Sequence, residues 1–393
     1  MGSIGYHIVS SFRGMRIPFR AGATRPLCSA RLRGLQAISF NKSYSNSAQH
    51  AQPCVAVLYQ ALEPPIIGGV RKPKKPGGYQ DSGADIAYSL RNCADVKIIT
   101  PSYAPDPAKD EGWGATHLWA NTILFASHSL QISSALKKYQ DTIQVVGQGP
   151  LVVEKYDDKQ YVNDLLRRLG GFTMPKAWCI HEGQDVAAEL SDASYPVVAK
   201  PIRGRGSQGV KVCHSFDELS THIQGLFTNS SSIMIEEFLA GEEITITVMP
   251  PKTPDAKYWS LPVVTRFNHH QGVAPYNGVI AVTANSRPIS ESELDEIYIQ
   301  AIQECEKAAE ALGVTAPIRI DARRFKDSKG SKFALFDVNM KPNMTGPGRP
   351  GRDDQASLTL LAAAALGWDY QQLLWQILST SRSLKELKSV RPR

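Results

Sequence analysis

The sequence predicts an α/β protein that passes, after its first third, into α+β lobes built on strand hairpins. Three observations carry that prediction. Between residues 54 and 148, buried-type apolar strands alternate with helical stretches, the pattern of a small parallel sheet with helices on its faces. From Asp157 onward strands come in pairs, with helices between the pairs. Hydrophobic residues make up 42% and charged residues 21%, ordinary for a globular chain, and there is no apolar run of the roughly 18 residues that a membrane-spanning helix needs. A length of 393 residues suits roughly two or three domains.

The chain opens on a basic leader. Residues 1–62 hold Arg13, Arg16, Arg20, Arg25, Arg31, Arg33 and Lys42 and no acidic residue. These seven account for the whole formal charge of +7. The remainder is balanced and offers no basic field to a nucleic-acid backbone. An Arg-rich, Ser-rich, acid-free start is that of a mitochondrial presequence, while its apolar residues form no clean helical stripe. A disordered tail or a misplaced start codon gives the same composition, and the location is then cytoplasmic. Cys28, Cys54, Cys93, Cys179, Cys213 and Cys305 contain no C-x-x-C pair, which argues against a zinc site or a disulfide scaffold and suits a reducing compartment.

CVAVLYQAL (54–62) reads as a buried strand, followed by a long loop, PPIIGGVRKPKKPGGYQDSG, dense in Pro, Gly and Lys. SGADIAYSLRNC reads as a helix capped at Ser82, VKIIT (96–100) and WANTILFAS as strands, SLQISSALKKY as a helix and IQVVG as a further strand. DDKQYVNDLLRRLGG predicts a helix with Leu165, Leu166 and Leu169 on one side and a Gly pair ending it. TMPKAWCI is a strand and HEGQDVAAELSD a helix. YPVVAKPIRGRGSQGVKVCHS is strand, glycine-rich turn and strand, and FDELSTHIQGLF a helix. SIMIEEFLAGEEITITVMP supplies two strands about a connector, and Ser290 to Gly313 a long amphipathic helix. IRIDARRF and KFALFDVNM form a hairpin across KDSKGS, and DDQASLTLLAAAALG and DYQQLLWQILS close the chain as helices.

That last hairpin carries the most chemistry. Asp321 sits in its first strand; Asp337 and Asn339, at i and i+2 of the second, point to one face. Two carboxylates and an amide oxygen are hard ligands that suit Mg²⁺ bridging the phosphates of a nucleotide. Arg319, two residues before Asp321, shares its face. Taken alone, the segment also reads as a surface hairpin with scattered charges. Upstream, Lys200 ends a strand and the turn RGRGSQG follows at once, so backbone N–H groups can close over phosphates beside a strand-borne cation. Glycine-rich hairpins are common without that role. In IEEFLAGEE, Glu236 to Leu239 can present backbone to an adenine edge and Glu243 can accept ribose hydroxyls, or the stretch is an acidic connector. Lys159 is a second candidate phosphate contact or a solvated helical charge.

The order of these elements resembles the ATP-grasp superfamily, most of all its D-alanine–D-alanine ligase branch, over residues 155–375. The blocks are DK-x10-G at Asp158 to Gly170, K-P-x7-G at Lys200 to Gly209, E-x6-E at Glu236 to Glu243, RID at 319–321 and D-x-N-x-x-P-x-M-T at 337–345. The resemblance implies an ATP-grasp fold with an N-terminal α/β domain (51–152) after the leader (1–50), a small central lobe (153–239) and a larger C-terminal lobe with the metal site (240–393). It implies ATP and two Mg²⁺ ions, or Mn²⁺ in their place. Lys159 and Lys200 would bind phosphates, Gly206, Ser207 and Gly209 cover them, and Glu236, Glu237, Phe238 and Leu239 meet adenine. Glu243 would take the ribose, Asp321, Asp337 and Asn339 the metals, and Arg319 the charge that develops during catalysis. The implied reaction joins a small-molecule carboxylate to an amine through an acyl phosphate, with no nucleic acid or membrane as partner and a homodimer as assembly. On the substrate side stand Asn343, Arg349 and Arg352, the last two where the family binds the acceptor's carboxylate, and FNHHQGVAPYNG (267–278) with His269 and His270.

The chain departs from the family pattern at several points. Asp337 replaces a Glu, Asn343 replaces the Gly of an oxyanion hole, and Gly206 replaces the first Ser of a pair. Neither the family's N-terminal Glu motif nor its H-G-x-x-G-E-D stretch is present, which counts against D-alanine as substrate. Another ATP-grasp reaction with a different nucleophile and a non-catalytic ATP-binding protein are the alternatives.

Overall fold

Of the chain, the computed structural model describes residues 52–59, 66–67, 70–71, 79–93, 96–99, 114–204, 206–253, 255–274 and 281–393. The basic leader, most of the Pro-, Gly- and Lys-dense loop and residues 275–280 of the expected substrate side lie outside the described residues. So does Arg205 of the glycine loop.

Strand β1 (Cys54–Tyr59) is apolar along its length because helices cover both faces of its sheet. After a small pair, β2 (Ile66–Ile67) and β3 (Val70–Arg71), comes helix α1 (Gln80–Arg91), then β4 (Lys97–Ile99), β5 (His117–Asn121) and β6 (Gln144–Val146). β1 runs parallel to β4 and β5, and β5 to β6, as the βα alternation predicts. Three local expectations differ. Ser82 is not the cap of α1: the helix starts at Gln80 behind Tyr79, and the Ser82 hydroxyl donates to the Tyr79 carbonyl 3.3 Å away. WANTILFAS is strand only to Asn121; Ile123, Leu124 and Phe125 are buried in a loop, and apolar burial alone does not distinguish loop from strand. SLQISSALKKY breaks at Ser133 and Ser134 into α2 (Ser129–Ile132) and a 3₁₀ turn, Ala135–Tyr139.

Helix α3 (Pro150–Tyr156) leads into α4 (Lys159–Leu169), which Asp158 caps by accepting from the Tyr161 N–H and Gly170 ends at φ 72°. Val162, Leu165 and Leu166 of α4 pack with Ile244, Ile246, Ile318 and Ile320, in the core of the C-terminal lobe, while Leu169 is exposed. By packing, α4 therefore belongs with the C-terminal lobe rather than the central one. The central sheet begins at β7 (Ala177–His181) and adds β8 (Val197–Pro201), β9 (Lys211–Cys213) and β10 (Ser232–Glu237) in the antiparallel order β7-β10-β8-β9. Between β7 and β8 only one helical turn forms, α5 (Val186–Glu189), where a longer helix is predicted. Helix α6 (Phe216–Phe227) seals one face, with Ser215 accepting from the Glu218 N–H and Leu219 and Ile223 against β8 and β10.

The C-terminal sheet holds β11 (Glu243–Met249), β12 (Trp259–Ser260), β13 (Val264–Arg266), β14 (Ser286–Pro288), β15 (Ile318–Arg324) and β16 (Phe333–Asn339). Its order is β14-β13-β11-β15-β16, with β12 on β11. Helix α7 (Glu296–Leu312) lays Ala301, Cys305, Ala308 and Leu312 on that sheet, between the Asp295 cap and the left-handed Gly313. It begins later than the sequence predicts because Ser290 and Glu293 form a separate capping box around a 3₁₀ turn. α8 (Leu358–Ala365) and α9 (Tyr370–Leu378) follow, and the chain then returns to the N-terminal layer: β17 (Arg382–Ser383) pairs with β6, and α10 (Leu384–Ser389) buries Leu384 and Leu387 there. Residues 382–389 thus join the N-terminal sheet, although they fall in the stretch 240–393 assigned to the last lobe. Among the described residues no helix is long and apolar enough to cross a membrane.

Candidate active site

A cavity lies between the central and C-terminal sheets, and both contribute to its walls. From the central sheet comes Lys200 near the end of β8, after Val197 and Ala199, which are buried, and Val198, which lines the cavity. Its ammonium lies 2.6 Å from Glu236 Oε2 and donates to the Phe336 carbonyl at 3.0 Å. Glu236 is in turn bonded by the Asn163 amide of α4 at 3.1 Å, so this nearly water-free ion pair has its polar atoms matched. The adjoining turn contains Gly206, Ser207 and Gly209, at φ 63°, 58° and 73°. At Gly209 a side chain is excluded twice over: the left-handed backbone disfavours it, and a Cβ would stand 2.8 Å from Leu226 Cδ2. The root of the turn is tied to the α3–α4 junction, where Arg203 donates to the Glu154 carbonyl at 2.9 Å and faces Asp157 and Asp158 at 3.7 and 3.5 Å.

From the C-terminal sheet comes the metal-type face. Register pairs Asp321 with Asp337 and Arg319 with Asn339, so alternation brings all four side chains to one side of the β15–β16 hairpin. A register shift follows Asp321, where the ladder is interrupted. Arg319 grips Asp321 with two parallel bonds of 3.0 Å, and the Thr245 hydroxyl, opposite Asp321 on β11, donates to the same carboxylate at 2.6 Å. Lys159, first residue of α4, lies 2.7 Å from Asp337 Oδ1. Withdrawal from water pushes the Asp337 carboxyl up, but the charges of Lys159 and Lys200 outweigh it and hold the group below the ordinary aspartate value. Burial works against the Arg319 cation, and Asp321 more than restores it.

Among the described residues no three His, Cys, Asp or Glu side chains gather as a metal cluster. The candidate set is instead two carboxylates and the Asn339 amide. These fit a divalent ion that takes its remaining ligands from phosphates: the donors are hard oxygens, Asp337 is held ionised, and two lysines stand within the same cavity. The Arg319 and Lys159 cations now occupy the carboxylates that such an ion would share.

The far end of the cavity is formed by Glu237, Phe238, Leu239 and Glu243. The N–H groups of Glu237 and Phe238 are engaged by the Lys176 and Pro196 carbonyls at 2.9 and 3.4 Å. Glu243 accepts from Arg266 at 3.1 Å and from His269 Nε2 at 2.8 Å. It is His269 whose ring reaches Glu243; the backbone of His270 forms a bridge with Val273. Asn343 accepts from the Thr345 hydroxyl at 3.0 Å. Arg349 and Arg352, expected to await an acceptor's carboxylate, are engaged by the chain itself. Both guanidiniums bond the fully buried Asp85 of α1, at 2.9 and 3.0 Å, and Arg349 also bonds Asp81 at 2.9 Å.

Sequence reasoning missed Thr245, Arg266 and Arg323. Arg323 lies two residues beyond Asp321, and its guanidinium is 5.1 Å from the centre of the Phe238 ring at the cavity wall. The alternation that drew attention to Arg319 was the available signal for Arg323; only strand pairing identifies Thr245.

The sequence profile of the family described as "D-ala D-ala ligase C-terminus" matches residues 172–379. The D-alanine–D-alanine ligase of Aquifex aeolicus is 28% identical over 221 residues, covering 55% of this chain and 66% of that one. The D-alanine–D-alanine ligase of Bacillus anthracis is 30% identical over 200 residues, covering 50% and 58%. The chain thus spans less than two thirds of the length of these curated relatives. A crystal structure of D-alanine–D-alanine ligase from Bacillus anthracis complexed with ATP superposes with a TM-score of 0.59 at 21% identity, over 86% of this chain and 99% of that one, which shows a common fold.

Proposed function

The chain belongs to the D-alanine–D-alanine ligase family of the ATP-grasp superfamily, and from that premise we propose that it is an ATP-dependent carboxylate–amine ligase. The observation that carries the reading is the meeting of Lys159, Lys200 and the facing Asp321 and Asp337 in one cavity. Paired carboxylates beside two lysines suit magnesium that offsets the charge of a transferring phosphoryl group.

In this reading Lys159 and Lys200 neutralise the phosphates, and the turn at Gly206, Ser207 and Gly209 covers them and keeps water away. Adenine meets the Glu236 to Leu239 segment at its Leu239 end, because the preceding two N–H groups are in use. Asp321, Asp337 and Asn339 would hold magnesium, as two ions, which supplies positive charge to the transferring phosphoryl group. A substrate carboxylate oxygen bonds to the γ-phosphorus as the bond to ADP breaks. The amine lone pair then bonds to the acyl carbon, phosphate leaves with its electron pair, and the amine proton passes to solvent. Arg319, held rigid by Asp321, offers a fixed guanidinium beside the oxygen on which charge develops. Asn343 and His270 would border the substrate side, while Gly272 to Ala274 line the nucleotide cavity. We assign Arg349 and Arg352 to fastening α1, because Asp85 and Asp81 take up their donors.

Phosphate release by the full chain with Mg-ATP tests the reading, using D- and L-amino acids singly and in pairs and mass spectrometry of the product. Release that requires a pair and yields a new amide supports it. Nucleotide binding without release on any carboxylate–amine pair would overturn it in favour of a non-catalytic role. The acid-free leader supports import into mitochondria, and a fluorescent fusion that stays cytoplasmic would remove that part. A homodimer is the proposed assembly, to be read from light scattering.

A further inference from the structure

The wall of the cavity around Glu243 is more elaborate than nucleotide recognition by one carboxylate requires. Glu243 opens β11 and is buried. Its Oε1 accepts from Arg266 Nη1 at 3.1 Å and its Oε2 from His269 Nε2 at 2.8 Å, with Arg323 Nη1 4.0 Å from the same Oε2. His269 belongs to the segment 267–274, which leaves β13 and folds back on itself through the His270–Val273 bridge, with bonds of 2.9 and 3.0 Å. Three of its residues are left-handed: Asn268 at φ 56°, Gln271 at 49° and Gly272 at 78°. Such a backbone persists only where its surroundings hold it.

The holding contacts are visible. Arg323 donates to the Gly272 carbonyl at 2.6 Å while stacking on Phe238. A Cβ on Gly272 would stand 3.1 Å from both Phe238 Cε2 and Val212 Cγ2, so the segment lies directly on the central lobe at the adenine side of the cavity. Gly272, Val273 and Ala274 then face the cavity beside Glu243.

We infer that His269 and Arg266 are positioning residues that aim Glu243 at the nucleotide sugar and seat the 267–274 strap over it. The inference rests on the nucleotide reading proposed above. A carboxylate has two oxygens and about four lone-pair directions. One donor on each oxygen fixes the orientation of the group and leaves the remaining directions for two hydroxyls. A carboxylate already aimed loses little freedom when the sugar arrives, which strengthens binding without adding a contact. Because His269 is carried by the strap, the bond that aims Glu243 is also the bond that closes the strap.

The test is equilibrium binding of ATP, 2′-deoxy-ATP and 3′-deoxy-ATP to the full chain and to its His269→Ala and His269→Gln variants. The unmodified chain should bind the deoxynucleotides about 10-fold or more weakly than ATP, the value of a hydrogen bond to a charged acceptor. His269→Ala should weaken ATP by a similar factor and bind all three nucleotides almost alike. His269→Gln, which keeps a donor, should recover most of the discrimination. A histidine that merely supports the fold would weaken all three equally and leave the ratio as in the unmodified chain; that result, or unchanged ATP binding in His269→Ala, overturns the inference. If the unmodified chain binds no adenine nucleotide, the nucleotide reading itself falls, and the inference with it.

Discussion

Asp337 shows how one side chain can be asked to do opposing things. It lies beside Lys159, which stabilises its charge, and its own burial destabilises that charge. The lysines prevail, so the carboxylate is ionised wherever a nucleotide would be bound. Asp337→Asn should leave ATP affinity within about threefold, because Lys200 with its partner Glu236 and the adenine end are untouched, and lower turnover by about 100- to 1000-fold. Parallel binding and phosphate-release measurements check both halves. The same residue sets an acid limit. A depressed carboxylate stabilises the fold fully above the ordinary aspartate value of 3.8, and that contribution is lost as pH falls through its lower folded value. Unfolding free energies of the native chain and Asp337→Asn should therefore converge as the pH drops below 3.8, and a constant difference would refute the depression.

At the scale of elements, the site depends on a turn, a hairpin and a helix end held in register. The glycine turn is the most sensitive of these. Gly209→Ala asks for a left-handed alanine and pushes a methyl onto Leu226, which should destabilise the chain by about 1–3 kcal/mol and weaken nucleotide binding. Urea denaturation and ATP titration measure the two effects. Gly209→Ala with Leu226→Ala should recover only part of the stability, because the backbone strain stays. The β15–β16 hairpin was legible in the sequence at this scale, since its alternation already placed Arg319, Asp321, Asp337 and Asn339 on one face. The short helix α5 was not: HEGQDVAAELSD has a good cap in Asp185 and good helix formers, yet the helix stops after one turn with no residue buried. Propensity without a buried face did not sustain it.

On the scale of the molecule, the chain closes by returning to where it began. β17 pairs with β6, and Leu384 and Leu387 are buried against Leu124, Leu130 and Val145. Removing residues 382–393 should cost about 1.5–3 kcal/mol for each of those two leucines. The loss should fall on the N-terminal layer: hydrogen exchange should rise in β5 and β6 before it rises in β8 or β10. A uniform increase would mean that the tail supports the whole fold. Asp85 provides a second long-range tie, through Arg349 and Arg352, between α1 and the loop that follows the metal-type strand.

The sequence by itself determined the class of the fold, the order of its elements and the residue types of the site, because strand alternation, helix caps and glycine turns are local properties of the chain. It also placed both lysines and both aspartates in strands or helices whose direction could be inferred. Which groups face which was decided by the tertiary structure. Glu236 is the buried counter-ion of Lys200, His269 rather than His270 reaches Glu243, and Arg349 and Arg352 hold Asp85 rather than waiting for a substrate. Each of these pairs joins residues 26 to 267 positions apart or chooses between adjacent histidines. No local pattern encodes such a choice, because an ion pair between distant segments exists only after the sheets have packed and water has left the space between them.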